Sequence, residues 1–174
     1  NVERLAKTSV PAVDITNRLN ISIANLRALQ TRHILSTTPE ALQSADAAVA
    51  KEVKKLNDRM ARYEAMISLP EERPAFEGFK ASAARYLQAG ETMLDLSRAG
   101  DKAGASALLT GEMVTAYDEM DGFADTFRDA NVAAADTMYA ESAESFHLSL
   151  LSNSAMLVAG VLAGIAAMLF VTRE

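Results

Sequence analysis

Apolar and small side chains recur along four long stretches of this chain at alternating steps of three and four, the period of helices that each bury one stripe against neighbours. In the first stretch the stripe reads Val2, Leu5, Ser9, Ala12, Thr16, Leu19, Ile23, Leu26, Gln30 and His33, which predicts a helix from about Val2 to Leu35. Pro11 lies inside it without breaking the register, so a kink is expected there rather than an end. Thr37-Thr38-Pro39-Glu40 then supplies a capping hydroxyl, a proline at the first helical position and an acidic first turn. The second helix that these open carries Leu42, Ala45, Val49, Val53, Leu56, Met60, Tyr63 and Ile67 inward and should stop before Pro70. A third is expected to begin between Pro70 and Pro74, to bury Phe76, Phe79, Ala83, Tyr86, Met93 and Leu96, and to end at Gly100. Asp101 caps a short helical stretch through Leu109, and Thr110-Gly111 loosens the backbone. Met113, Tyr117, Met120, Ala124, Phe127, Asn131, Ala134, Met138, Ser145 and Leu148 then continue with no breaker.

Short connections between consecutive long helices force neighbours to run oppositely, so the expected fold is all-α, an antiparallel up-down-up-down four-helix bundle. Eight glycines, four prolines and 6% aromatics among 174 residues favour helix over strand. The absence of cysteine removes disulfides and thiolate metal ligands. A net charge of −6 provides no basic patch for a nucleic acid, and none is expected as a partner.

One segment departs from this pattern. From Ser154 to Thr172 run 19 residues without a charge, apolar all round, and at 1.5 Å per residue they nearly cross a hydrocarbon core of about 30 Å. The expected organisation is a bundle outside the membrane over 1–153, a transmembrane helix over 154–172 that continues the last bundle helix, and the start of a cytoplasmic segment at 173–174. Ala155, Ala159, Ala163 and Ala167, with Gly160 and Gly164 beside them, form a small-residue stripe suited to close helix contacts in lipid.

Candidate binding residues follow from height along the bundle. Measured from the end where the first two helices meet, Arg27 lies ~14 Å down, and Tyr86, Arg85 and Tyr117 lie about 20 Å down. Side chains lean towards the N-terminus of their own helix, so Arg27 and Tyr117 lean towards each other. Arg27, Tyr86 and Tyr117, with Asn20, Thr31 and Met113 around them, would hold an anion by charge and a planar body by stacking. Arg27 and Arg32 are five positions apart, about 140° around the helix, so Arg32 needs a second pocket or a second subunit. His33 reads as a core residue of the end layer. No HExxH, phosphate loop, GxSxG or inward Glu-x-x-His pair is present, and His33 and His147 are far apart. Neither enzyme activity nor a metal or cofactor is expected.

The order of the segments NLRALQTRHIL, RYEAMISLPEER, ALLTGEM and FRDANVAAADTMYAESAE, together with the apolar terminal span, resembles the four-helix-bundle sensor domain of bacterial methyl-accepting chemotaxis receptors over the whole chain. The same module also precedes histidine kinases and diguanylate cyclases. The resemblance implies a homodimer, a periplasmic sensor anchored in the inner membrane, a small ligand, a piston-like shift of the last helix, and cytoplasmic signalling partners reached through a further C-terminal region. Leu29-Gln30-Thr31-Arg32 is similar to the first-helix segment of the amino-acid chemoreceptors, in which the arginine grips the ligand carboxylate. Two further arginines of that family fall at Thr37 and Ala41 here, which points away from an amino acid and towards a dicarboxylic, tricarboxylic or aromatic acid. A bundle that binds another protein and no small molecule is the alternative from a different class.

Overall fold

The computed structural model describes residues 10–70 and 72–171, without the side chains of Val10 and of residues 161, 163, 165–167 and 169–171. The expected stripe residues Val2, Leu5 and Ser9, and the segment 172–174, lie outside the described residues. The helices are α1 (Val10–Leu35), α2 (Pro39–Glu64), α3 (Glu72–Arg98), α4 (Lys102–Thr110) and α5 (Glu112–Val171), and among the described residues there is no strand.

The helix ends follow local chemistry. Thr38 caps α2, its hydroxyl accepting from the Ala41 N–H at 3.2 Å, with Pro39 in the first turn. At the end of α3, Gly100 takes φ 88°, the left-handed conformation that a side chain would strain. The Asp101 N–H returns to the Leu96 carbonyl at 2.9 Å and the Gly100 N–H to Ser97 at 3.2 Å, closing a Schellman motif. Asp101 then caps α4 through the Gly104 N–H. Gly111 separates α4 from α5 as Thr110-Gly111 predicts, and the two form one interrupted fourth rod. The second helix ends at Glu64 rather than running on towards Pro70. The Glu72 carboxylate explains this, since it accepts from the Ser68 and Leu69 N–H groups and holds them in a turn.

The first stripe is confirmed throughout its described part: Ala12, Thr16, Leu19, Ile23, Leu26, Gln30 and His33 are all buried. The closest packing joins α3 to α5 and α1 to α2, with α1 also against α5, while α2 and α3 touch least. Phe76, Phe79, Phe127 and Tyr63 fill the half of the core remote from the α1–α2 turn, with ring centroids 4.7 Å apart for Tyr63 and Phe127 and 5.7 Å for Phe79 and Phe127. Gly78 leaves room for the Phe123 ring, which a Cβ there would strike.

At 60 residues, roughly 90 Å at 1.5 Å per residue, α5 far outruns the 27-residue α3. Its inward stripe is buried through Asn131 except at half-buried Tyr117, half-buried again at Ala134 and Met138, and exposed at Ser145 and Leu148. The α2–α3 turn lies beside Asn131, which bonds Glu72, so α2 and α3 turn at that level while α5 continues. Among the described residues no helix is long and apolar enough to cross a membrane. Several side chains of the expected span Ser154 to Thr172, and Thr172 itself, lie outside the described residues.

Candidate functional site

Arg27 follows Ile23 by four on α1 and sits on the flank of the buried stripe, half-buried. Its Cζ lies 4.8 Å from the centroid of the Tyr117 ring on α5, within the range of cation–π attraction. Tyr117 in turn inclines at 52° to Tyr86 of α3, with centroids 6.4 Å apart. Three helices therefore meet through one cation and two phenols. Tyr86 is buried and donates its hydroxyl to Gln30 Oε1 at 2.5 Å. Burial pushes the Tyr86 phenol above its ordinary range, the Arg27 charge opposes that shift and Tyr117 adds to it, so Tyr86 stays a neutral donor. Gly90 faces Gln30, and a Cβ there would come 2.8 Å from Nε2, so the glycine makes room for the amide.

Among the described residues no carboxylate lies within ion-pair distance of Arg27. The stacked guanidinium keeps its in-plane N–H donors for an incoming anion, and a planar fork of this kind suits a carboxylate. Tyr117 keeps it in place, a contact worth about 0.5–2 kcal/mol depending on exposure.

The other sequence candidates fall into distinct places. Met113 is buried, its Cε 3.6 Å from where a Gly90 Cβ would stand, and it forms the floor next to Gln30. Asn20 is half-buried two turns below Arg27 on α1, with its Oδ1 buried and without a hydrogen-bond partner among the described residues. Thr31 is exposed and donates to the Arg27 carbonyl at 2.9 Å, a contact within the helix. Arg32 faces outward and donates to Ser44 of α2 at 3.1 Å, away from Arg27 as their spacing requires. Arg85 shares the height of Tyr86 but faces the α3–α5 flank, paired with Glu119 and donating to Ser82 at 3.1 Å. A cavity of about 250 Å³ opens there between Arg85, Glu112, Thr115 and Glu119.

Three polar clusters in the bundle were not legible as such. At the α1–α2 end, His33 is fully buried, with Nδ1 2.9 Å from Ser97 Oγ and Nε2 3.0 Å from Asp46 Oδ1. Burial lowers the His33 pKa; Asp46 opposes that effect, while Arg98 and Lys102 reinforce it. The chain Asp46–His33–Ser97 has the connectivity of a proton relay, yet Ser97 is 0% exposed and offers no substrate access. On the α1–α2 face, Glu52 accepts from Ser22 at 2.9 Å and Lys55 at 2.8 Å, and Arg59 donates to Ser22 and to the Arg18 carbonyl. Burial raises the Glu52 pKa, but these bonds outweigh it and hold the carboxyl below its usual range. At the opposite end Glu72, 1% exposed, accepts from Tyr63 at 2.7 Å, Asn131 at 2.6 Å and the two turn N–H groups. Its pKa too is lowered, the four donors overcoming burial.

The spacing did signal Glu52. The steps Ala45, Val49, Glu52, Leu56 keep the three-four alternation and are all buried, whereas Val53 of the expected stripe is only half-buried. In comparison with known proteins, residues 1–146 match the family model described as a four helix bundle sensory module for signal transduction. No curated protein matches the chain.

Proposed function

The chain belongs to the family of four-helix-bundle sensory modules for signal transduction, and on that premise we propose that it is a bacterial chemoreceptor sensor whose Arg27–Tyr86–Tyr117 cluster binds a small organic acid. The observation that carries this reading is a half-buried guanidinium stacked on Tyr117 with no carboxylate partner among the described residues. One cation beside two phenols favours an aromatic monocarboxylate over a di- or tricarboxylate, since among the described residues no second free cation stands at this cluster for a second carboxylate. Binding at a cluster shared by α1, α3 and α5 would bias the position of α5, the helix that leaves the bundle.

In this reading the bundle is antiparallel and up-down-up-down. Residue numbers fall along α1 as they rise along α2 in the pairs Arg32–Ser44, His33–Asp46 and Ser22–Glu52, which supports that order. The segment Ser154 to Thr172 anchors α5 in the inner membrane with the bundle in the periplasm, a reading supported by the uncharged sequence and the unbroken helix through Val171. The receptor is a homodimer packed along α1, whose outer face exposes Ile21 at 54% and Leu35 at 73% beside Arg32.

A thermal-shift screen with benzoate, malate, citrate and aspartate tests the reading. An acid at 100 times its dissociation constant should stabilise the protein by about 2.7 kcal/mol. Benzoate is expected to shift the melting temperature most and aspartate least; a panel without any shift would contradict the proposal.

A further inference from the structure

On the far side of the bundle from Arg27, two stripes of side chains face each other across the loosely packed α2–α3 seam. Asp46, Val49 and Val53 line one wall and Glu91, Leu94 and Arg98 the other, each at helical steps of three, four or seven. The valines and Ala50 are too short to fill the gap, and a cavity of about 520 Å³ remains, within the range of small-molecule sites. Arg98 closes one end of it, donating to Asp46 Oδ1 at 2.7 Å and to Asp95 at 2.7 Å. Those two carboxylates already share the one guanidinium, and Glu91 has no ion pair among the described residues. The walls thus carry three carboxylates against a single cation above an apolar floor, in which Val49 and Leu94 are buried.

We propose that this groove binds a small primary ammonium ion with an apolar tail, its head between Glu91 and Asp95 and its tail along Val49, Val53 and Leu94. Glu91 and Asp95 are four apart on α3, so one head group reaches both carboxylates. Three N–H donors on the ammonium satisfy them by charge-assisted hydrogen bonds. Among the described residues no aromatic ring lines the groove, so a quaternary ammonium finds neither hydrogen bonds nor a cation–π face there. Asp46 at the closed end also meets His33, which connects the groove to the layer joining α1, α2 and α3.

Isothermal titration of the full 174-residue chain with hexylammonium chloride tests the site, with tetramethylammonium and hexanoate as controls. Hexylammonium should bind in the millimolar range or tighter, tetramethylammonium at least about tenfold more weakly, and hexanoate should leave this groove empty. Glu91→Gln, at an exposed position, should weaken hexylammonium about tenfold. Ala50→Leu should abolish binding by filling the groove, with helicity unchanged by circular dichroism, and Arg27→Ala should leave it intact. Absence of millimolar binding, equal binding of tetramethylammonium, or full affinity in Glu91→Gln would each overturn the proposal. Should Ala50→Leu fail to fold, Glu91→Gln decides.

Discussion

The two ends of the bundle solve the same problem, tying helices together through buried polar groups, in opposite ways. At the α1–α2 end, His33, Asp46 and Ser97 are backed by cations: Arg98 holds Asp46, and Lys102 donates to Ser97 at 2.8 Å. At the other end Glu72 is buried with no cation beside it among the described residues, and four neutral donors from α2, the turn and α5 hold its charge. The first end contains an imidazole whose pKa burial lowers, beside a carboxylate that Arg98 also holds. The second has a carboxylate held below its usual range, which is the acceptor for the Tyr63 hydroxyl and the two turn N–H groups. Arg27, Tyr86 and Tyr117 lie between them, so the ligand proposed there would act on a bundle with one end braced by cations and the other held by neutral donors.

The difference is sharpest in substitutions. Glu72→Ala should have the largest effect, because it removes the acceptor of the Tyr63 hydroxyl and of two backbone N–H groups, at roughly 1–3 kcal/mol for each that stays unsatisfied, while Asn131 keeps its bonds to Tyr63 and the Phe127 carbonyl. A loss of about 3 kcal/mol or more is expected in urea unfolding followed by circular dichroism. His33→Leu keeps the volume and leaves Arg98 on Asp46, so it should cost only about 1–2 kcal/mol. A larger loss for His33→Leu than for Glu72→Ala would reverse the comparison.

Proton dependence should separate the ends as well. The folded state lowers the His33 pKa from its ordinary 6.5, so the unfolded chain takes up its proton first, and stability should begin to fall as pH drops below about that value. Asp46 and Glu72 are lowered from 3.8 and 4.5, so their contribution is present above those values and is lost only as pH falls through the lower folded values. Urea midpoints measured from pH 8 to pH 3 should show two stages, and His33→Leu should erase the first alone. The smallest effect belongs to the middle layer: Tyr86→Phe, which unties Gln30, should cost about 1 kcal/mol in the same urea assay.

Most of the helical layout was legible because it rests on periodicity, caps and breakers, which act locally. The Thr38 cap, the Gly100 stop and the Gly111 break are visible in the sequence for that reason. The end of α2 was not, because it depends on Glu72 folding back onto Ser68 and Leu69, and an acidic residue in a first turn reads equally well as a dipole partner. The burial of Glu72 is not legible, and that of Glu52 only in its spacing, since charge argues for the surface until a partner set is known. The meeting of Arg27, Tyr86 and Tyr117 was legible from their heights together with the lean of side chains towards their helix N-termini. The outward turn of Arg85 was not, because neighbouring helix positions diverge by about 100° and height takes no account of it.

Isothermal titration of benzoate into the wild-type chain and into Arg27→Ala tests the central claim most directly. The account predicts that Arg27→Ala weakens benzoate by about 1.5–3 kcal/mol with helicity unchanged, while Arg32→Ala has little effect on binding within one bundle. Equal benzoate affinity in the wild type and Arg27→Ala would contradict it.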